Sequence, residues 1–292
     1  MKFGRFYSMF AQGHDADHTI EFPLTCRFQV DNNNPSTYGA ATFLIYNLSA
    51  DVRADLYKDP LDFGTYKQVI FSAGFTMDSV NPVVIFQGNI TLCYSYRQGP
   101  DWITEIQGMD GAYAGDTSKI DLTIASGYTL KYAIQQLVGA MSPTVQLGLV
   151  GSLVTSSVAN TRGLSLSGSP WDLLVRQMTA LSLQAYIYKE KAYVVARNEY
   201  IDAVGGVTEI SEETGLLGSP KMQQLQVITQ QIFEPRIQVQ QQIELKVQSK
   251  PMSRQYLVAR CVHKGTISGA VCEDLITECT LLRTDLGLVS AQ

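Results

Sequence analysis

Alternation of apolar and polar side chains with a period of two most limits the folds open to this chain. It commits a segment to a sheet with one buried face. In residues 25–30, Cys26, Phe28 and Val30 fall on one face and Thr25, Arg27 and Gln29 on the other. Asp31-Asn32-Asn33-Asn34-Pro35-Ser36 reads as a loop, because Asn and Asp tolerate left-handed backbone and Pro removes a donor. Residues 41–48 follow as a largely apolar strand, and Ser49 is placed to cap a short helix to about Tyr57, with Val52 and Leu56 on one side. Strands are expected again at 66–73 and at 83–96. The second is long enough to need a bulge or bend, expected near Gly88-Asn89. Arg97-Gln98-Gly99-Pro100-Asp101 is a hairpin loop returning through 102–107, where Trp102, Thr104 and Ile106 alternate with their neighbours.

The middle of the chain changes period. After a short strand at 119–125, Thr129 can cap a helix whose Leu130, Ile134, Leu137, Val138 and Met141 share a stripe. Residues 148–167, rich in Ser and Gly, read as loop or weak strand. Ser169 then caps a helix with Pro170 at its first position, carrying Trp171, Leu173, Leu174, Met178 and Leu181. Residues 185–188 and 192–195 pair around Lys189-Glu190-Lys191. From about Val204 strands return at 207–210, 225–233, 237–247, 255–263 and 274–282, broken by the turn-forming run 214–220. In 225–233 both faces carry apolar residues and Gln, so the core face is left open there. The expected fold is mainly β: two β-barrel or sandwich domains at 1–115 and 203–292 flank an α+β insert at 116–202.

Composition narrows the function. The 292 residues are 45% hydrophobic but only 17% charged, with Gln, Ser, Thr and Asn filling the gap. Such a surface, with 15 Tyr and 11 Phe in the chain, suits contact with other protein, although most of those rings should fill the core. Net charge is −5, from 22 basic and 27 acidic residues, and no Lys/Arg cluster builds a phosphate stripe, which speaks against nucleic-acid recognition. No run of about 18 apolar residues offers a membrane span. The polar start, with Gln12, His14, Asp15 and Asp17, lacks a signal peptide's apolar core, so a cytosolic origin is expected. Five cysteines, an odd number, point to reduced and buried thiols.

Chemistry-bearing patterns are weak throughout. His14-Asp15-Ala16-Asp17-His18 holds zinc-ligand types on a polar loop with no second ligand-rich segment, so a solvated loop is expected. Cys261 and His263 share a strand face, but their spacing to Cys272 and Cys279 fits no zinc ribbon or finger. Around Ser165, the run 163–168 is no nucleophile elbow, because Ser167 stands where Gly is needed. The run 148–152 is too short for a phosphate loop and lacks its Lys. No local signature picks out a pair of carboxylates. The expectation is a non-enzyme with no catalytic, cofactor-binding or metal residues and no cofactor.

Five segments, in order, carry a family likeness: 44–49 (Leu44-Ile45-Tyr46-Asn47-Leu48-Ser49); 69–75 with 84–90; 99–106 closing on Met109-Asp110-Gly111; 207–211 with 214–220; and Phe233-Glu234-Pro235-Arg236-Ile237. Together the chain resembles the baseplate hub proteins of contractile-tailed bacteriophages. The resemblance implies two tail-tube-like β domains per subunit and a homotrimer presenting six of them. It implies an adaptor between the six-fold tail tube and the three-fold central spike, in contact with the baseplate wedge proteins. DNA would pass through its channel without sequence-specific binding, along a neutral to acidic lining. No membrane partner is implied; the location is the tail baseplate of the virion, assembled in the host cytoplasm. A tail-associated cell-wall hydrolase and the equivalent hub of a contractile secretion apparatus are the alternatives. The sequence departs from the family pattern at Gln240-Gln241, where relatives have Gly, and at Cys272, where Trp is usual; His263-Lys264-Gly265 and Gly269 fit it.

Overall fold

A computed structural model describes residues 4–33, 38–62, 64–76, 83–155, 162–196, 199–201, 208–224, 226–269 and 274–283. The first part consists of β1 (Arg5–Gln12), β2 (Asp17–Glu21), β3 (Cys26–Asn33), β4 (Ala40–Tyr46), helix α1 (Ala50–Leu56), β5 (Gln68–Phe75), β6 (Val83–Gln98) and β7 (Asp101–Met109). The middle runs α2 (Ala112–Thr117), β8 (Ile120–Ile124), α3 (Leu130–Gly139), β9 (Gln146–Val150), α4 (Ser152–Thr155), β10 (Leu164–Gly168), α5 (Pro170–Ala180), β11 (Leu183–Tyr188) and β12 (Lys191–Ala196). The last part holds β13 (Thr208–Ile210), β14 (Lys221–Gln223), β15 (Gln226–Ile232), β16 (Gln242–Leu245), β17 (Arg254–Ile267) and β18 (Leu275–Arg283). The fold is mainly β, as the alternation requires.

The first and last parts share one 13-stranded sheet, in the order β14-β15-β18-β17-β3-β4-β7-β6-β5-β1-β2, with β16 also on β17 and β13 beside β16. The join is β3 against β17, antiparallel from Arg260↔Asn33 to Ile267↔Cys26. It works because β3 alternates cleanly: Cys26, Phe28, Val30 and Asn32 are buried, while Arg27 and Gln29 are exposed. Arg260 forks onto the Asp31 carboxylate across the join, and Thr25 and Ser268 hydroxyls meet at 2.6 Å.

Three larger apolar clusters form. The first is inside the curl of β1 and β3–β7, centred on Phe71, whose ring lies 4.7 Å from Phe43, 4.9 Å from Phe28 and 5.8 Å from Tyr7. It also takes Phe233, Ile267 and Leu275 from the last part, so this core is completed by residues more than a hundred positions away. Each such fully buried ring contributes about 2–3 kcal/mol of transfer energy. A second cluster packs α3 and α5 on β11 and β12 through Ile134, Leu137, Trp171, Leu174, Ile187 and Val194. The third joins Ile210, Val227, Ile243, Tyr256, Val258 and Leu281.

The expected caps are in place: Ser49 accepts from the Val52 N–H, Thr129 from Tyr132 and Ser169 from Asp172. Other expectations are corrected. Where a loop was expected from Asp31, β3 runs on to Asn33, because β17 pairs with it; residues 34–36 lie outside those described. The bulge expected near Gly88-Asn89 does form, between Ile90 and Leu92, and a second lies between Val84 and Phe86. Gly88 keeps regular pairing, and its lack of a side chain serves close approach: a Cβ there would meet the Met109 carbonyl oxygen at 2.7 Å. Within 148–167 the described residues contribute most of β9, then α4, which was not expected, and most of β10; 156–161 lie outside those described. In β15 the core face is Val227, Thr229 and Gln231, and only Gln242–Leu245 of 237–247 is strand. The β11–β12 loop is two residues, Lys189 and Glu190, with Lys191 already in the strand.

Replacing Gly88 by Ala drives a methyl into backbone that has no room to yield. The substitution is expected to cost about 1–3 kcal/mol in urea unfolding, whereas Gly139→Ala, in open space on α3, should be neutral or stabilising.

Candidate functional site

The most elaborate polar arrangement in the molecule is the tip of the β11–β12 hairpin. Tyr188 pairs with Lys191, leaving Lys189 (φ +53°) and Glu190 (φ +57°) as a two-residue loop with both residues left-handed. Asn-Gly usually fills such a loop, since other residues pay for positive φ. Here the strain is offset by contacts. The buried Asp110 carboxylate, just after β7, accepts the N–H groups of Lys189 and Glu190 at 2.5 and 2.9 Å. Glu190, itself buried, accepts from Tyr66 Oη (2.9 Å), Gln68 Nε2 (2.7 Å), Gln87 Nε2 (2.7 Å) and Asn89 Nδ2 (3.2 Å). Asn89 in turn accepts the Tyr113 N–H at 3.2 Å. The middle module is thus plugged into β5 and β6 through one carboxylate. Burial pushes the Asp110 carboxyl up to about 7 against the pull of its two N–H donors, and lowers the Lys189 ammonium to about 8.

A second joint ties the same module to the last part. Glu199 accepts from Ser152 N–H and Oγ, both at 2.8 Å, and its carbonyl accepts Gln240 Nε2 at 2.6 Å. Gln240 is buried with φ +65°, the conformation Gly adopts freely. In this chain the position is filled by Gln, whose side chain makes the contact to Glu199. Gln241, also buried, donates to Thr208 Oγ1 at 2.8 Å.

The weighed motifs resolve as follows. Residues 14–17 of the His14–His18 run are exposed, as a solvated loop requires, and the run is anchored by Asp55 of α1, which accepts from the N–H groups of Asp15 (2.7 Å), His14 (2.9 Å) and Ala16 (3.3 Å) and lies 2.5 Å from His18 Nε2. The Asp15 N–H and then His18 hold its carboxyl down at about 2. Cys261 and His263 share the inner face of β17, with Sγ 3.4 Å from Nε2, and Cys279 pairs opposite Cys261. Burial pushes the Cys261 thiol up and His263 down to about 4, leaving both neutral at neutral pH. Cys272 lies outside the described residues. Among the described residues no group of three or more His, Cys, Asp or Glu side chains is placed to hold a metal ion. No helix among them is long and apolar enough to cross a membrane.

Segments that carried the family likeness meet in space. Asn47 (φ +59°) accepts the Trp102 N–H at 3.0 Å and donates to Asp101 at 2.9 Å, and Arg53 covers the Trp102 ring at 3.9 Å. Leu216 bridges to Gln231, and Phe233 enters the first core. The outer face of the sheet stays open and polar: a groove of about 850 Å3 is lined by Arg27, Gln29, Thr42, Leu44, Lys264 and Ile276, among others. Of its cations, Lys264 meets Glu278 at 3.3 Å, and Arg260, outside the groove on the same strand, meets Asp31. Neither Asp110 nor Glu190 lines it.

An extended antiparallel sheet that carries two cores and is braced by a small α+β module is a fold of tail proteins. It superposes on the 43 kDa tail protein of prophage MuSo2 from Shewanella oneidensis with a TM-score of 0.63 at 8% identity, covering 96% of this chain and 99% of that one. The tail protein from Neisseria meningitidis MC58 gives 0.61 at 11%, covering 96% and 97%. The E. coli c3393 protein is a component of the type VI secretion system with structural similarity to T4 bacteriophage tail proteins gp27 and gp5. It gives 0.63 at 9%, covering 89% and 74%. At these identities the likeness is one of fold. No curated protein sequence matches the chain. The family model Baseplate hub gp41 matches residues 9–261, and the chain belongs to that family. It is a structural component of a phage tail baseplate.

Glu190→Ala leaves four donors inside the protein without an acceptor. It should lower stability by about 2–5 kcal/mol in urea unfolding, whereas Lys191→Ala, at an exposed position of the same hairpin, should stay within about 0.5 kcal/mol.

Proposed function

We propose that the protein is a homotrimeric, non-catalytic hub that joins the six-fold tail tube to the three-fold central spike and contacts the wedge proteins of a contractile tail. The carrying observation is the shared sheet: each chain contributes two β cores on one continuous frame, so three copies present six. The division at 1–115, 116–202 and 203–292 belongs to the same reading. The third apolar cluster, wholly within 203–292, and the second, almost wholly within 116–202, support it, while the first cluster and the pairing of β3 with β17 join the two outer parts. The polar outer face, where Lys264 and Arg260 are paired to carboxylates, suits the wall of a channel through which DNA passes without being held, since a run of unpaired Lys and Arg would trap a polyanion. Assembly in the host cytoplasm and incorporation into the virion follow from this role.

The likeness of fold to a type VI secretion component favours one second reading, the equivalent hub of a contractile secretion apparatus. Gene neighbourhood separates the two.

Native mass spectrometry with electron microscopy of the purified chain tests the proposal. A trimer with pseudo-six-fold appearance that captures spike protein is expected; a stable monomer that ignores spike protein, or a true six-fold ring of chains, contradicts it.

A further inference from the structure

The eight-strand run β14-β15-β18-β17-β3-β4-β7-β6 of the sheet ends on two unlike edges. One is β14, whose Lys221, Met222 and Gln223 are all exposed. The other is the last stretch of β6. β5 accompanies β6 only as far as Asn89, paired with Gln68, and Cys93 then exchanges main-chain bonds with Lys58 at 2.9 and 3.1 Å. From Tyr94 to Gln98 the pairing among the described residues is with β7 alone. Main-chain groups on one edge of a strand recur at every second residue, so those of Ser95 and Arg97 follow Cys93 outward and meet no strand among the described residues.

We propose that these edges pair with each other between copies, the 94–98 stretch of one chain against β14 of the next, carrying the sheet across the subunit boundary as β3 and β17 carry it within a chain. The inference rests on the trimer reading and names its contact. A three-fold ring needs a head-to-tail interface between two unlike patches, and the two edges supply them. Every neighbouring pair in the run is antiparallel, so across an even number of strands β14 and β6 point in opposite directions. Rotation about an axis along the strands keeps those directions and brings the edges together antiparallel. The stagger fits as well. Traced through the pairings, Met222 sits about eight residues further along the strand direction than Ser95, and strands tilted by about 36° in a barrel stagger by about one residue each. Because that shift is even, faces stay matched: Met222 comes beside Ser95 on the core side, and Lys221 and Gln223 beside Tyr96 and Tyr94 on the open face.

The side chains of the two edges are complementary. Glu105 of β7, opposite Tyr94, accepts from Tyr94 Oη at 2.8 Å and Gln107 Nε2 at 2.7 Å, but no cation lies at ion-pair distance from it among the described residues. Lys221 is exposed and has no carboxylate at that distance among them. Pairing brings its ammonium to Glu105 and to the stacked rings of Tyr94 and Tyr96, whose centres are 5.7 Å apart, a favourable place for a cation. It also covers Tyr94 and Met222, both exposed in the single chain, and satisfies an edge that would otherwise invite indiscriminate strand pairing.

Zero-length carbodiimide coupling of the assembled full-length chain, read by peptide mass spectrometry, tests the pairing. Along the sheet of one chain Lys221 and Glu105 are separated by six strand spacings, about 29 Å, so a link between them joins two copies. A Lys221–Glu105 link in covalent dimers and trimers is expected. Lys221→Glu should weaken the trimer about tenfold in a native mass spectrometry dilution series, and adding Glu105→Lys should restore it. A trimer that lacks the link and is indifferent to Lys221→Glu overturns this pairing while the trimer itself stands; a monomeric wild type overturns both. Should a variant fail to fold, the presence or absence of the wild-type link still decides.

Discussion

Everything in this molecule hangs on the antiparallel pairing of β3 with β17. Eight residue pairs, from Arg260↔Asn33 to Ile267↔Cys26, connect segments more than two hundred positions apart and turn two strand-rich parts into one sheet. Closing so long a loop costs entropy, and pairing alone contributes little net energy. The join is held because it is also a core boundary. Phe28 on β3 packs against Phe233 at 6.0 Å, and Phe233 against His263 of β17 at 5.5 Å, so separating the strands would open the first cluster to water.

The α+β module braces that frame at two points made of uncharged amides, carboxylates and backbone rather than apolar contact. Glu190 and Asp110 fix it to the first part, and Glu199 with Gln240 to the last. Buried polar contacts of this kind demand one geometry, because any displacement leaves donors unsatisfied. A structural component of a tail baseplate needs defined angles more than it needs maximal stability, and polar joints supply that. The family membership and this construction agree on a structural role.

Local features were legible in the sequence wherever the physics is local. Alternation placed β3, capping residues placed α1, α3 and α5, and Gly99-Pro100 placed a hairpin in which Gly99 takes φ +62°. What was not legible depends on distant neighbours. The loop expected at 31–33 became strand because β17 supplies a partner, and no residue near Asp31 announces that. Lys189-Glu190-Lys191 read only as the residues between two paired strands; that Glu190 is buried depends on the four donors gathered by β5, β6 and Tyr66. The solvated character of His14–His18 was legible, but its anchor on Asp55, some forty residues on, was not. Gln240 was visible as a departure from the family pattern, yet its left-handed backbone was not.

The claim that the two strand-rich parts are one frame is tested most directly by native-state hydrogen exchange across a urea series. If β3 and β17 share one cooperative unit, their slowest amides open with the same free energy and the same urea dependence. If β17 and β18 exchange through a separate, lower-energy opening while β3 to β7 stay protected, the parts are independent domains and the account fails.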